Sequence, residues 1–172
     1  RPELDLHAVI VPAKEVAGDF FDYFFLSEHE LVLVIGDVSG KGVPASIFMA
    51  VSRTVIRDQA MAGLDPSEVL NRANRLLAQG NERMMFVTVF LARYDLRTGK
   101  MVFANAGHNP PCVADGKGAV GTLGEPTGPI LGVFEEERYG QREVRLAPGE
   151  SVVMYTDGVT EAMDAEKRLF RV

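Results

Sequence analysis

The sequence has few cysteine, histidine and tryptophan residues. Among its 172 residues it has one cysteine, three histidines and no tryptophan. The single cysteine, Cys112, cannot close a disulfide within the chain, so a cytoplasmic location is the expectation. Because Cys112 stands beside Pro110 and Pro111, we interpret it as a small packing residue rather than a nucleophile.

Excess positive charge and long apolar runs are also missing. The formal net charge is −6, which argues against a nucleic-acid surface, because such a surface needs a basic stripe. No apolar run approaches the ~20 residues of a membrane span, and no signal peptide is visible. The apolar content of 47% is enough for a full core, so we expect one globular domain over residues 1–172.

Acidic residues stand at the ends of three apolar runs that we predict to be strands. The run 31–35 leads into Asp37, the run 151–155 leads into Asp157, and Asp19 comes directly before an aromatic run. Carboxylates grouped at the edge of a core repel one another and need a compensating charge. Since the surrounding donors are oxygens rather than Cys or His, a divalent cation such as Mg²⁺ or Mn²⁺ is the natural partner.

Each of these motifs, taken alone, has a simpler interpretation. An Asp-Gly pair after a strand, such as Asp157-Gly158, is typical of a turn, because Asp hydrogen-bonds its own backbone and Gly accepts a positive φ. The metal hypothesis therefore depends on the three acidic residues acting together.

Strands and one helical block make up the rest of the pattern. Alternating apolar residues from Leu4 to Ile10 predict an amphipathic strand. Further strands, paired as consecutive hairpins, are predicted at 20–26 with 31–35, 86–94 with 101–106, 111–114 with 120–123, and 142–146 with 151–155. The Gly- and Pro-rich stretch 121–132 predicts an exposed loop or flap.

Two helices are predicted between the strands. The first begins near Val43 and Pro44 and ends at Gly63, and the second begins after Asp65 and ends at Gly80. The predicted apolar faces are Ile47, Val51 and Val55 on the first helix, and Val69, Leu70, Ala73, Leu76 and Leu77 on the second. The arginines at 53, 57, 72 and 75 are expected at exposed positions. Strands, two adjacent helices and more strands form an α+β pattern.

Several segments resemble one known family, in the family's own order. They are residues 12–22, 36–45, 86–90, 105–111, 129–132, 148–150 and 155–162. Together they resemble the phosphatase domain of the SpoIIE and RsbU proteins, bacterial members of the metal-dependent serine/threonine protein phosphatases (the PPM or type 2C family). The resemblance implies a sandwich of two antiparallel β-sheets flanked by helices.

The resemblance also implies a metal centre of two divalent cations, Mn²⁺ or Mg²⁺. In it Asp37 bridges the two ions and the backbone carbonyl of Val38 adds a ligand, while Asp19 and Asp157 each bind an ion or share it through waters. Asp22 and Glu161 are candidates for orienting these ligands from outside the ligand set, and Glu161 can equally be a helix cap.

Two further residues near the acidic motifs are candidates for a role in catalysis or substrate binding. His108 is a candidate general acid, with a turn histidine bonded to backbone as the favoured alternative. Lys41 could touch a phosphopeptide, although a solvated lysine in a glycine loop is the simpler interpretation.

The function implied by the resemblance is hydrolysis of phosphoserine or phosphothreonine on a regulatory protein, with a STAS-type anti-sigma factor antagonist as the usual substrate. An upstream sensor domain and a homodimer fit the same pattern. The alternative is a module that keeps the fold and binds a partner without hydrolysis. The family pattern has Gly at Ala17, and it continues beyond Val172 into a strand with an Asp-Asp pair. We therefore expect this domain to be incomplete at its C-terminus.

Overall fold

The computed structural model describes residues 3–11, 18–164, 166 and 168–170. Ala17 and the first part of the family-like segment, 12–16, lie outside the described residues. In chain order the elements are β1 (Phe20–Phe25), β2 (Glu30–Val38), α1 (Val43–Met61), α2 (Pro66–Ala78), β3 (Val87–Asp95), β4 (Lys100–Ala106), β5 (Cys112–Ala114), β6 (Val120–Thr122), β7 (Arg142–Arg145), β8 (Ser151–Val153) and α3 (Asp157–Thr160).

The strands form two antiparallel sheets. The larger sheet has the order β1-β2-β3-β4-β7 and the smaller one β6-β5-β8. α1 and α2 pack against one face of the larger sheet, and the smaller sheet packs against its other face. The predicted α+β architecture of two stacked sheets flanked by helices is confirmed. No helix in the part of the chain that the structure describes is long and apolar enough to cross a membrane.

The alternation of side chains along β2 separates two apolar cores. Val32 and Val34 point toward the helices, whereas Leu33 and Ile35 join the core between the two sheets. Because successive side chains of a strand point to opposite faces, Asp37 lies on the same side of β2 as Leu33 and Ile35. The alternation thus places Asp37 where the larger sheet faces the smaller one.

The same alternation in β1 separates two acidic residues that lie close in sequence. Phe20 and Phe24 pack in the core beneath the helices, so Asp22, between them, also faces α1. By the same alternation, Asp19 lies on the opposite side of the sheet from Phe20. Asp19 directly precedes β1, and Phe20, the first residue of β1, pairs with Gly36 of β2. Asp19 and Asp37 are therefore brought together on one side of the sheet, and Asp22 is not.

Most of the predicted elements are confirmed, including the β1–β2 hairpin, both helices, the β3–β4 pair and the β5–β6 hairpin. The predicted pairing of 142–146 with 151–155 is wrong. β7 pairs with β4 in the larger sheet, and β8 pairs with β5 in the smaller sheet. Two strands joined by a turn can enter different sheets, and the apolar pattern of each strand does not reveal which neighbour it will have.

Three other expectations fail. Residues 4–10 form no strand, and Val9 is 70% exposed. The predicted apolar faces of the helices are wrong in part. The buried residues of α1 are Ala45, Ser52, Ile56 and Ala60, and of its predicted face only Val55 packs against the core, whereas Ile47 and Val51 are exposed. On α2, Leu76 is 50% exposed. The stretch 121–132 is not wholly exposed, since Leu131 is fully buried and forms a bridge with Val87.

Candidate functional site

Four acidic residues interact with one another near the C-terminal end of β2. The carboxyl groups of Asp37 and Asp19 share a hydrogen bond, and the charges of Asp157 and Glu161 act on Asp37. Asp157 is the first residue of α3 and Glu161 is its C-cap. Asp19 and Asp37 are thus supplied by the larger sheet, whereas Asp157 and Glu161 follow the last strand of the smaller sheet.

The ionised form of Asp37 is unfavourable in this cluster. Its burial, its hydrogen bond with Asp19 and the negative charges of Asp19, Asp157 and Glu161 together raise the pKa of Asp37 from 3.8 to about 7. Each of these causes disfavours the carboxylate form. A cation placed among these carboxylates would reverse the effect, because it stabilises the charged form that the protein alone disfavours.

The donor set fits a hard divalent cation. It consists of carboxylate oxygens together with the backbone carbonyl of Val38, and oxygen ligands are those that Mg²⁺ and Mn²⁺ prefer. The Val38 carbonyl has a glycine, Gly18, as its neighbour, and a Cβ at position 18 would lie only 2.8 Å from the Val38 oxygen. Among the described residues, however, no three Asp, Glu, His or Cys side chains already stand together in a position to hold one ion.

A threonine that the sequence analysis missed joins the two halves of the cluster. Thr156 Oγ1 donates a 2.8 Å hydrogen bond to Asp19 Oδ2, so the residue before Asp157 is held against the larger sheet. The one feature of the sequence that could have pointed to Thr156 is its place directly before Asp157 in the Tyr-Thr-Asp-Gly segment. Its role depends on a contact with a residue 137 positions away, which no local pattern predicts.

Asp22 has partners other than the acidic cluster. Its buried carboxylate accepts two hydrogen bonds of 2.9 Å from Arg57 Nη1 and lies 3.3 Å from Arg53 Nε. The Arg57 guanidinium also stacks over the ring of Phe24, 4.2 Å from its centroid. Asp22 therefore joins β1 to α1. Its role in orienting metal ligands stays a prediction.

His108 is a buried residue whose two ring nitrogens both have partners. Nδ1 lies 2.9 Å from Thr88 Oγ1, and Nε2 lies 3.1 Å from the carbonyl oxygen of Tyr155. Burial lowers the pKa of His108 from 6.5 to about 4. At neutral pH the ring is therefore uncharged and enclosed, which favours the bonded-histidine interpretation over a general acid. Lys41, by contrast, is exposed in the turn after β2.

The electrostatics of Asp37 predict a specific pH dependence of stability. In the folded protein the pKa of Asp37 is about 7 rather than 3.8, so between these values the folded state holds a proton that the unfolded chain has released. Folding stability contributed by Asp37 therefore falls as the pH rises through this window. We expect Asp37→Asn to stabilise the metal-free protein near pH 7 by about 1–2 kcal/mol, after allowance for solvent screening, and to change little near pH 4.

Urea denaturation of both proteins in chelator, at intervals from pH 4 to pH 8, measures this difference. The lowered pKa of His108 acts in the opposite direction over part of the same range, but it cancels in the difference because both proteins carry His108. Asp58→Asn, an identical charge change on the exposed side of α1, serves as the control. A difference between wild type and Asp37→Asn that is flat with pH would contradict the raised pKa.

Comparison with known proteins places the chain in a well-populated group. The family model described as Stage II sporulation protein E (SpoIIE) matches residues 27–172. The chain is 34% identical over 158 residues to the phosphoserine phosphatase RsbU of Bacillus subtilis, which covers 92% of this chain and 47% of RsbU. The chain thus spans less than half the length of this relative.

Solved structures resemble the fold as well. The structure of the RsbU and RsbW domains of a Mycobacterium tuberculosis protein matches with a TM-score of 0.77 and 30% identity, covering 89% of this chain and 43% of that one. RsbX, solved in complex with magnesium, matches with a TM-score of 0.71 and 17% identity, covering 93% of this chain and 75% of that one. The second likeness, at such low identity, concerns the fold alone.

Proposed function

This chain belongs to the SpoIIE family, and from that premise we propose that residues 1–172 form a metal-dependent phosphatase domain. Its substrate would be a phosphoserine or phosphothreonine on a regulatory protein. The observation that carries the proposal is the group of carboxylates around the partly buried Asp37. Burial first, then the hydrogen bond with Asp19 and the charges of Asp19, Asp157 and Glu161, raise the pKa of Asp37 to about 7. A cluster so unfavourable without a cation is typical of a functional site rather than of a turn.

In the proposed site, Asp37 is the central ligand, joined by Asp19, Asp157 and the Val38 carbonyl, and the cations are two Mn²⁺ or Mg²⁺ ions. Such ions, when bound, supply an activated water and neutralise charge on the phosphoryl group. The protein holds the ligands in place. Thr156 fixes the Asp19 carboxylate through its 2.8 Å hydrogen bond, and Glu161 adds negative charge from the end of α3. The enclosed His108 serves neither as acid nor as base.

The substrate class and setting are part of the proposal. RsbU, the 34% identical relative, is named a phosphoserine phosphatase, and we propose that this chain likewise acts on a phosphorylated STAS-type protein in the cytoplasm. Because the chain covers only 47% of RsbU, we further propose that a sensor domain elsewhere in the full-length protein regulates it, with dimerisation as one means.

Metal removal tests the proposed function directly. Hydrolysis of a phosphoserine peptide or of a phosphorylated STAS protein should stop in excess chelator and return when Mn²⁺ or Mg²⁺ is restored. Zn²⁺ should restore little, because the proposed ligands are hard oxygens. The measurement is phosphate release from the full-length protein, with a metal-free protein of unrelated fold as blank. Hydrolysis that continues unchanged in excess chelator would remove the proposed role of the acidic cluster.

One observation favours a second candidate function, that of a partner-binding module without hydrolysis. Within residues 18–164 and the other described positions, no three acidic, His or Cys side chains are already placed to hold an ion. The two functions separate in one experiment. A module would bind the phosphorylated partner equally well with and without Mn²⁺ and release no phosphate from it.

A further inference from the structure

The proposed metal site is assembled from two sheets, and this makes its geometry depend on one contact region. Asp37 lies in β2, and Asp19 directly precedes β1, whose first residue pairs with Gly36 of β2. Asp157 follows β8, which pairs only with β5 of the smaller sheet among the described strands. The distance between Asp37 and Asp157 is therefore set by how the segment after β8, residues 154–157, lies against the larger sheet.

A path of contacts joins that segment to β2 through His108 and the pairing of β3 with β2. Thr88 of β3 is the pairing partner of Asp37 in the sheet register, and its hydroxyl lies 3.4 Å from the Asp37 carbonyl oxygen. The same hydroxyl lies 2.9 Å from His108 Nδ1. On the other side of the ring, His108 Nε2 lies 3.1 Å from the carbonyl oxygen of Tyr155, two residues before Asp157.

The partners of the ring fix its tautomer. A backbone carbonyl can only accept a hydrogen bond, so Nε2 must carry the proton that Tyr155 accepts. Nδ1 is then an acceptor, and the Thr88 hydroxyl donates its single proton to it rather than to the more distant Asp37 carbonyl. Burial supports this neutral form, because it lowers the pKa of His108 to about 4.

The position of the ring is itself held by buried groups. Asn105 accepts a 2.8 Å hydrogen bond from the His108 backbone N–H and donates a 2.9 Å bond to the His108 carbonyl. Gly107 supplies a positive φ of 66° between them, and a Cβ there would lie 3.0 Å from Ile130. His108 is only 3% exposed. The imidazole is thus a rigid spacer rather than a mobile side chain.

We propose that His108 is a positioning residue whose neutral imidazole, bonded to Thr88 and Tyr155, sets the placement of Asp157 relative to Asp37. The proposal rests on the proposed function in so far as these carboxylates bind cations. Partners that orient metal ligands from outside the ligand set change metal affinity by roughly 10–100-fold when removed.

The experiment compares variants that remove one or both hydrogen bonds of the ring. His108→Leu removes both, His108→Gln keeps a donor near the position of Nε2, and His108→Asn keeps an acceptor near that of Nδ1. Asn74→Ala is the matched control, because Asn74 is equally buried and bonds the backbone of Phe134 and Gly132 without any hydrogen bond to the acidic cluster among the described residues. The readouts are Mn²⁺ affinity by calorimetry and amide hydrogen exchange at 156–158 in the metal-free protein.

We expect His108→Leu to weaken Mn²⁺ binding by roughly 10-fold or more and to accelerate exchange at 156–158, with partial recovery in His108→Gln. Asn74→Ala should change neither. If His108→Leu behaves like Asn74→Ala in both readouts, the proposal is overturned. Should His108→Leu fail to fold, Thr88→Val removes only the Nδ1 hydrogen bond at nearly constant shape. We expect it to weaken Mn²⁺ binding and accelerate exchange by smaller factors, and no change in either would overturn the proposal.

Nitrogen NMR of the wild-type protein provides a measurement that needs no variant. The His108 ring should show a protonated Nε2 and an unprotonated Nδ1 from pH 6 to pH 8, and the opposite tautomer would overturn the proposal.

The tests of His108 can be distinguished from the test of the proposed function. A protein that binds Mn²⁺ but hydrolyses no phosphoester would refute the phosphatase assignment while leaving the affinity, exchange and tautomer tests of His108 fully decisive.

Discussion

Replacement of Asp37 by asparagine is expected to lower phosphoester hydrolysis by at least about 10²–10³-fold, the loss typical when a group that stabilises transition-state charge is removed. Asp37 has the carboxyl of Asp19 as a hydrogen-bond partner and feels the charges of Asp157 and Glu161. Asparagine keeps the size of the side chain, but it provides neither a negative charge nor a second anionic oxygen. Cation binding at the centre of the cluster should therefore fail.

The fold should survive this change, which makes the activity result interpretable. Because the pKa of Asp37 is raised in the folded state, the neutral amide removes an unfavourable charge, and in chelator the variant should melt no lower than wild type at pH 7. Asp58→Asn, on the exposed side of α1, controls for the loss of one negative charge. A well-folded Asp37→Asn protein with near-wild-type turnover would refute the central role of Asp37.

The second large effect is expected from Arg53→Met with Arg57→Met, which should destabilise the protein by about 3–5 kcal/mol. The side chain of Asp22 is only 7% exposed, and these two arginines are its ion-pair partners among the described residues. Removing both leaves a buried carboxylate without compensation. Methionine retains much of the apolar stem, so the loss reports mainly on the charges and on the stacking of Arg57 over Phe24.

A double-mutant cycle identifies the cause of that loss. Adding Asp22→Asn to the Arg53/Arg57 variant should recover a large part of the stability, because the stranded charge disappears. Arg72→Met is the control, since Arg72 pairs with Glu68 on an exposed helix surface and such pairs contribute only about 0–1 kcal/mol. Urea denaturation at pH 7 measures all variants. Equal destabilisation with and without Asp22→Asn would show that packing, not the buried charge, explains the effect.

These arginines illustrate a limit of sequence-based reasoning. Their spacing on α1 suggested exposed positions, and their side chains are indeed about half exposed, at 49% and 44%. Their guanidinium groups nevertheless bond a buried residue of β1. A helical pattern predicts the direction in which a side chain leaves the helix, but a long arginine reaches whatever charge the neighbouring strand presents.

The sequence by itself determined the hairpin of β1 and β2, the two helices with their Pro and Gly boundaries, and the acidic residues that end the apolar runs. These features are local, because they follow from side-chain periodicity and from the backbone preferences of Pro and Gly. The tertiary structure decided which strands β7 and β8 join, which face of α1 is buried, and that Asp22 pairs with arginines while Asp19 joins Asp37. It also gave His108, Thr88 and Thr156 their partners. The contacts of His108 with Thr88 and of Thr156 with Asp19 join residues 20 and 137 positions apart. Their energies depend on the packing of whole sheets and helices, which no local pattern contains.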